Sequence, residues 1–553
     1  MRFLPVSLNA LLVELSGLDQ TLALLTSLQR DPLPGVDELV PAARTILVRF
    51  RPAAVSLATL VQAIASRDLA ARAERGGTLV EIPVRYDGED LAEVAQRLGL
   101  TPEEVVRRHT GSEYTVAFTG FAPGFAYLSG GHPSLDVPRR STPRTRIPAG
   151  AVGLAGTFSG VYPQASPGGW QIIGVTPVAM WDLGRDQPAL LQPGYRVRFV
   201  DIATLDDEAE TGRRAGASNH AIAAPGNGRT RDMLAPGQTA LQVRATGLLT
   251  VFQDLGRHGQ AGQGVSASGA MDQAALKAAN RLVGNPGNGA ALETVGGGLQ
   301  LQSLGETVVA VTGADAPLTL RTADGRQWCP PSHQALALAD GDVLGIGQPA
   351  AGARCYVAAR GGFAVAPVLG SCATDTLAGV GPAPLAVGDV LGLHPAPASA
   401  VVGEPTLPAA DLPTLEQEVV LDVVMGPRTD WFTPQAVACL AAQRWQVTPQ
   451  SNRVGLRLAG DTPLERAIGG ELPSEGTALG ALQVPPSGQP VLFLADHPLT
   501  GGYPVIATVA PYHLDRAGQI PVGAWLRFNP IRAFAELSTA AAPGEAGTFR
   551  APR

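Results

Sequence analysis

The chain has 553 residues, 45% of them hydrophobic and 16% charged, with a formal net charge of −7. It is too long for one hydrophobic core, so several domains are expected. The acidic balance leaves no electrostatic footprint for nucleic acid, and no apolar run reaches the ~18 residues of a membrane helix. Glycine (66) and proline (47) together make up a large share of the chain, well above the usual proportion of about 12%, which favours many turns between short strands. Cys329, Cys355, Cys372 and Cys439 form no C-x-x-C pair and the eight histidines show no ligand spacing, so neither a disulfide framework nor a metal site is expected. Lys277 is the only lysine. That excludes a P-loop and, because Lys277 sits mid-helix, a covalently attached biotin. The N-terminal segment is apolar but broken by Pro5, Asn9 and Glu14, with no small-residue cleavage site, and a cytoplasmic location is expected.

In chain order, Leu8–Glu14 and Arg44–Phe50 read as strands, and Leu18–Gln29 and Leu57–Ala71 as helices with apolar residues at three- and four-residue spacing. Val80–Tyr86 is a strand. Asp90–Arg97 and Pro102–His109 are short helices, the second opened by a capping box of Thr101 and Glu104. Tyr114–Phe118 is a strand running into GFAPGF. Arg139, Arg140, Arg144 and Arg146 then crowd into PRRSTPRTRIPAG, either a solvated loop or an anion-binding wall. Asp206–Gly237 has a linker's composition.

Leu248–Phe252 is a strand that breaks on Gln253, Asp254 and Gly256 and leads through a glycine-rich loop into a helix over Ala270–Val283. Gly262–Ala267 satisfies G-x-G-x-x-A, but the loop is too long and no βαβ unit surrounds it, so a dinucleotide site is not expected. Met271, Ala274, Ala275, Ala278, Leu282 and Val283 make the helix's core face. Asp272 suits a helix start and Asn280 a turn. Gln253, Asp254 and Arg257 place an acceptor, an acid and a base just past a strand end, where cap and turn duty competes with a site role. Short β-like runs follow at Thr307–Thr312, Ala335–Leu338, Val343–Ile346, Arg354–Ala359, Val419–Val424, Val491–Leu494 and Trp525–Phe528, parted by a Pro/Ala-rich break at His394–Pro413. The candidate acids and bases are His109, Asp254, Asp272, Glu293, Glu475 and Asp496. Each could equally be a structural acid or base. No G-x-S-x-G elbow is present.

IPVRYDGEDLAEVA, the His109–Tyr114 pairing, GFAPGFAYL, PRRSTPRTRIPAGAV and SPGGWQIIGVTP resemble the family of the 5-oxoprolinase B subunit, also known as the sporulation-kinase-inhibitor or allophanate-hydrolase-subunit-1 family. VFQDLGR, GVSASGAMD, AANRLVGN, ARGGFAVAPVLGSCATD, SNRVGLRLAG, LPSEGTALGALQVPPSGQPVLFLAD and TGGYPVIATV resemble its partner, the family of the 5-oxoprolinase C subunit or biotin-dependent carboxyltransferase. Two departures are His497-Pro498-Leu499 and Cys372 after Gly370-Ser371. The resemblance implies a natural fusion of the two, a mainly β chain with α+β parts and tandem cyclophilin-like β-barrels. The expected division is a small α+β unit (1–79), a cyclophilin-like barrel (80–205), a linker (206–238), a first β-rich part (239–400), a second, cyclophilin-like part (401–537) and a loose tail (538–553).

The implied activity is ATP-dependent opening of 5-oxo-L-proline to L-glutamate, with ADP and phosphate released and Mg as co-substrate ion. A separate A subunit, a lactam-utilisation protein, is the implied partner, and the substrate is a small molecule. His109, Asp254, Asp272, Glu475 and Asp496 are the catalytic candidates. The matched motifs add substrate- or ATP-binding candidates. In the first half these are Phe121, Gly124, Phe125, Tyr127, Arg139, Arg140, Arg144, Gly168, Gly169 and Trp170. In the second half they are Gln253, Arg257, Gly264, Ser268, Asn280, Glu293, Arg453, Arg457, Gln483, Thr500, Gly501, Gly502 and Tyr503. The rival expectations are a carboxyltransferase component of a biotin-dependent urea or amide carboxylase, which would need a separate biotin carrier, and a non-enzymatic kinase regulator.

Overall fold

The structure, a computed structural model, describes residues 1–69, 77–140, 142, 144–204, 238–470 and 472–539. The expected linker (206–238) lies outside the described residues except for Gln238, and the expected tail lies outside them beyond 539.

The N-terminal unit is a four-stranded antiparallel sheet ordered Arg2–Ser7, Ala10–Glu14, Thr45–Phe50, Val36–Pro41. Helices Leu18–Arg30 and Leu57–Ala65 cover one face, where Leu24, Leu28, Leu60 and Ile64 meet Leu11, Val13, Ile46 and Val48. The Ser56 side chain caps the second helix by accepting from the Thr59 N–H. That helix stops at Ala65, short of the expected Ala71. The strand Arg2–Ser7 escapes a sequence reading because Pro5 looks like a breaker; at the edge of this sheet a missing N–H is tolerated. The sheet's other face is apolar too. Leu4, Val6, Leu12, Val40 and Leu47 pack on Ala261, Ala478 and Leu499 from the far half of the chain.

Residues 79–201 build a seven-stranded sheet ordered Gln171–Val175, Ala151–Ala155, Phe158–Val161, Ala126–Ser129, Glu113–Thr119, Arg196–Asp201, Leu79–Val84. A bridge between Arg85 and Val175 brings its two ends together, so the sheet is nearly a barrel. Residues 419–532 build a closed barrel ordered Val419–Met425, Val505–Val509, Ala481–Gln483, Val491–Phe493, Gly455–Ala459, Trp445–Val447, Trp525–Arg532. The two have the same topology. In each the first strand pairs in parallel with the last, and the other pairings are antiparallel. Each also extends a two-stranded arm from the equivalent place in its strand sequence: Arg144–Ile147 with Ser166–Gly168, and Glu475–Gly476 with Thr500–Gly501. Side chains alternating into each barrel fill separate cores, with Trp445 wholly buried in the second.

Between the barrels in sequence stands a sandwich of a six-stranded and a five-stranded sheet, whose facing residues Leu241, Leu301, Val311, Leu344 and Val357 share one core. Helix Gln273–Leu282 packs Leu276, Ala279 and Leu282 on Ala310, Tyr356 and Ala358. The chain is thus mainly β, with barrels and a small N-terminal α+β unit, as expected. The strand entering the glycine loop pairs antiparallel with Ala291–Val295, an arrangement unlike a dinucleotide-binding βαβ unit. No helix among the described residues is long and apolar enough to cross a membrane.

The N-terminal sheet is fastened to the second barrel by charge. The buried Arg428 guanidinium donates to Glu14 at 3.1 Å and to Glu475 at 3.0 Å, and Arg44 also pairs with Glu14. Burial opposes the charge on Glu14, but Arg428 and Arg44 outweigh it and hold the carboxyl at about 2, below its ordinary 4.5. A carboxylate depressed in the folded state contributes its stability above the unfolded value and loses it as pH falls through the folded one. Docking of this unit is therefore expected to weaken between about pH 4.5 and 2. Arg428→Met should lower the unfolding free energy in urea by about 3–5 kcal/mol, because the buried Glu475 loses its cation and Glu14 keeps only Arg2 and Arg44. Adding Glu14→Gln and Glu475→Gln to Arg428→Met should restore most of that loss.

Candidate functional site at the seam of the two halves

The glycine loop joins the halves. After strand Leu249–Gln253, the Asp254 carboxylate accepts from the Gly256 N–H at 2.8 Å, the Ser371 hydroxyl at 2.6 Å and the Cys372 N–H at 2.7 Å. This fixes the loop's first turn and ties it to the 371–372 segment. A short 3-10 turn, Ala261–Gln263, then docks on the first barrel. The Thr119 hydroxyl donates to the Ala261 carbonyl at 2.8 Å, and the Gly124 N–H donates to the Gln263 carbonyl at 3.0 Å. Gly264 ends the turn at φ +75°, where a Cβ would stand 2.8 Å from the Ala122 carbonyl, so no side chain fits.

The GFAPGF turn forms the other wall. Phe121 is a non-glycine residue at φ +67°, a conformation that stores strain and clusters at functional sites. Gly120 lies directly against the Thr500 side chain, leaving no room for a Cβ. Phe118, Phe121, Phe125, Tyr127, Tyr162 and Trp170 make an aromatic floor with neighbouring ring centroids 4.2–6.0 Å apart. The Ser474 hydroxyl donates to the Tyr127 hydroxyl at 3.5 Å across the seam. Gly168 lies against the Tyr162 hydroxyl, and the Gly169 carbonyl accepts from the Arg140 N–H.

The four clustered arginines divide. Arg140 donates to the buried Asp90 at 2.7 Å and Arg144 donates to both its oxygens at 2.8 and 2.7 Å. Burial opposes the charge on Asp90, but Arg144, the Ile172 N–H and Arg140 overcome it and hold the carboxyl below its ordinary value. These two arginines therefore stiffen the first barrel's arm. Arg139 and Arg146 are exposed and have no carboxylate partner among the described residues. An Arg139 Nη stands 3.7 Å from the position a Cβ would take on Gly502 in the second barrel's arm. Beside it, the buried Thr500 hydroxyl has no hydrogen-bond partner. The Gln483 amide donates to the Tyr503 carbonyl at 3.2 Å, and Arg466 stands over the Tyr503 ring at 5.6 Å. Arg139, an uncommitted cation, thus stands beside the second barrel's arm, whose glycine backbone and partnerless buried Thr500 hydroxyl lie against the first barrel.

Beneath the loop runs a buried polar network. Arg453 donates to both Asp496 oxygens at 3.0 and 2.9 Å, to the Gly269 carbonyl at 2.7 Å and to Glu293. Ser268, at φ +54°, donates to Asp496 at 2.6 Å. Glu293 accepts from the Tyr356 hydroxyl at 2.7 Å and the Met271 N–H at 3.0 Å. Asp272 caps the helix on the Ala275 N–H and accepts from the Gln519 amide at 2.8 Å; burial pushes its carboxyl up to about 6. The structure thereby brings Gln253, Asp254, Arg257, Ser268, Asp272, Glu293, Arg453 and Asp496 into one region. The His497-Pro498-Leu499 departure lies on the same loop as Asp496. There, Leu499 packs on the N-terminal unit and Thr477 donates to the Pro498 carbonyl.

The remaining candidates stand elsewhere. His109 is wholly buried in the first barrel, bonded to Tyr86 at 2.7 Å and Ser159 at 2.9 Å and stacked on Phe199. Burial pushes its imidazole down to about 3, so it serves as neutral core packing. Asn280 closes the turn after the helix by donating to the Gly289 carbonyl at 2.8 Å. Arg457 points outward from strand Gly455–Ala459. Glu475 is committed to Arg428. Lys277 is on the helix's exposed face. Among the described residues no group of three His, Cys, Asp or Glu could hold a metal ion.

One residue escaped the sequence reading. Asp375 is buried beside Asp496 in charge terms, accepts from the Ser266 hydroxyl at 3.0 Å and from the Leu377 and Ala378 N–H groups at 3.0 and 2.8 Å. Burial, and then the charge of Asp496, push it up to about 7. Nothing local marks it; only folding brings the 375 and 496 loops together.

Comparison with known proteins agrees with this two-part build. Residues 1–191 match the carboxyltransferase domain, subdomain C and D, and residues 263–530 match the carboxyltransferase domain, subdomain A and B. The B subunit of 5-oxoprolinase from Bacillus subtilis (strain 168) is 42% identical over 198 residues, which is 33% of this chain and 82% of that protein. The C subunit of 5-oxoprolinase from Escherichia coli (strain K12) is 34% identical over 291 residues, 52% of this chain and 90% of that protein. A crystal structure of TTHA0988 superposes with a TM-score of 0.78 at 34% identity, covering 94% of this chain and 99% of that one. The chain therefore belongs to the carboxyltransferase-domain family, and joins a B-type half and a C-type half of the 5-oxoprolinase kind in one polypeptide.

Proposed function

We propose that the chain is the B/C component of an ATP-dependent 5-oxoprolinase, which opens 5-oxo-L-proline to L-glutamate together with a separate A subunit. The observation that carries this reading is the union in one chain of nearly whole relatives of the B and C subunits. A lactam resists water because attack must break amide resonance, and phosphorylating the carbonyl oxygen removes that resonance. The reaction then needs donors for a transferring phosphoryl group and an acceptor for the proton of water. With no P-loop lysine, the donors fall to Arg139, the Thr500 hydroxyl and the Gly501–Gly502 backbone at the seam. These suit an anion, and they are the residues that would hold the phosphates of ATP. Asp375 is the group suited to take the proton.

The direct test mixes this chain with an A-type subunit, ATP, Mg and 5-oxoproline and follows glutamate and ADP. Glutamate should form only when all are present, and its absence from a folded, assembled complex would sink the reading. A second reading, carboxyl transfer, is favoured by the domain's own description; it predicts instead transfer from a separate carboxylated biotin carrier to an amide acceptor.

Arg139→Ala should lower kcat/KM about 10²-fold without loss of stability, since the side chain is exposed and supplies a donor to the reacting charge. The wild-type rate should climb as pH rises through about 7, where the Asp375 carboxylate becomes able to accept a proton. Asp375→Asn should cost about 10²–10⁴-fold in kcat and abolish that limb of the profile.

A further inference from the structure

Two buried polar atoms beneath the glycine loop lack partners: the acceptor Gln253 Oε1 and the donor Arg257 Nη1. Their residues are 0% and 2% exposed, so water at the surface does not serve them. Both side chains are tethered by their other ends to one short segment. Gln253 Nε2 donates to the Thr374 carbonyl at 2.9 Å and Arg257 Nη2 donates to the Ala373 carbonyl. The Thr374 bond also fixes which end of the amide is oxygen, because flipping it would set two acceptors face to face. Arg257 is a buried cation that feels Asp375, Asp254 and Asp496 yet makes no ion pair with any of them. Leaving a buried donor and acceptor unpaired is costly, and native proteins do so where something else completes the set.

We infer that Gln253 Oε1 and Arg257 Nη1 together read the edge of a cis amide, the lactam carbonyl accepting from Arg257 and the lactam N–H donating to Gln253. The inference rests on the 5-oxoprolinase reading and deepens it. A five-membered ring forces its amide cis, so N–H and C=O lie on one edge; an open-chain secondary amide is trans and presents them on opposite edges. The ring-opened product offers no such edge, and its new carboxylate would meet Asp375 and Asp496. The same pair therefore holds the lactam and releases the amino acid. The segment above the site, residues 364–382, has only two isolated bridges and is held down by Asp254 through Ser371 and Cys372.

The experiment is calorimetric titration of the full chain, without ATP or a partner protein, using 5-oxo-L-proline, its N-methyl derivative, urea and L-glutamate. 5-Oxoproline should bind, and N-methylation, which removes only the N–H donor, should weaken it about tenfold or more. Gln253→Leu should bring the two ligands to within about twofold of each other, and Arg257→Lys should weaken both. Because the arginine variant could fold poorly, the ligand series on the wild-type chain decides. Equal binding of the N-methyl and parent lactams, binding of urea but not of 5-oxoproline, or an ordered water alone bonded to both atoms in a lactam-soaked crystal would overturn the inference. Glutamate production by the complete complex despite equal binding would overturn it while leaving the 5-oxoprolinase reading intact. Lactam discrimination without glutamate from the complete complex would do the reverse.

Discussion

Arg453 is the interaction on which the rest of the second half depends. Its guanidinium joins three elements with no regular contact in sequence: the barrel loop carrying Asp496, the sandwich strand carrying Glu293, and the glycine loop through the Gly269 carbonyl. A buried ion pair is stabilising only when desolvation is offset by good geometry and complete hydrogen bonding. Here the condition is met, since Nε and both Nη groups have acceptors and each carboxylate has further donors from Ser268, Thr376, Tyr356 and Met271. Burial works against the charge, yet the two carboxylates win, and Arg453 is held more firmly protonated than a free arginine. The network leaves the glycine loop few other positions. Removing one member would strand the others in a dry interior, so its value lies in fixing one arrangement of sandwich, barrel and loop.

That fixed loop meets the first half through a symmetry of construction. Both barrels close a parallel pair between first and last strands and extend an arm from the equivalent place. The second barrel's arm meets the first barrel, with Arg139 beside Gly502 and Gly120 against Thr500. The N-terminal unit crosses over to the second barrel, where Arg428 grips Glu14. Each half is therefore held by the other's surface. Carrying both in one chain makes their meeting intramolecular, at an effective concentration a pair of separate proteins must reach by affinity.

Much of this was legible before folding. The short strands, the helix starts at Thr101 and Asp272, and the glycine loop between strand and helix all follow from local pattern. What stayed hidden depended on partners far along the chain. Arg140 and Arg144 are chemically the same as Arg139 and Arg146 in the sequence, and only the buried Asp90 separates structural arginines from free ones. His109 carries the residue type of a catalytic base, but Tyr86, Ser159 and Phe199 enclose it. Glu475 sits in a glycine turn of the kind that builds sites, yet it belongs to Arg428. Asp375 has no local mark, because what distinguishes it is Asp496, more than a hundred positions away.

The contrast between those two aspartates shows how the fold drives two neighbouring buried carboxyls apart. Both are buried, and burial alone would push both carboxyls upward. Asp496 receives Arg453, Ser268 and Thr376, and so stays ionised at and below the usual carboxylate range. Asp375 receives a hydroxyl and two backbone N–H groups but no cation in contact, and the ionised Asp496 adds its repulsion. Two like groups whose surroundings drive their proton affinities apart are the ordinary means by which one fold keeps an acid and a base side by side near neutrality. The single guanidinium that fastens the loop is thus also what decides which of the two carboxylates holds the proton.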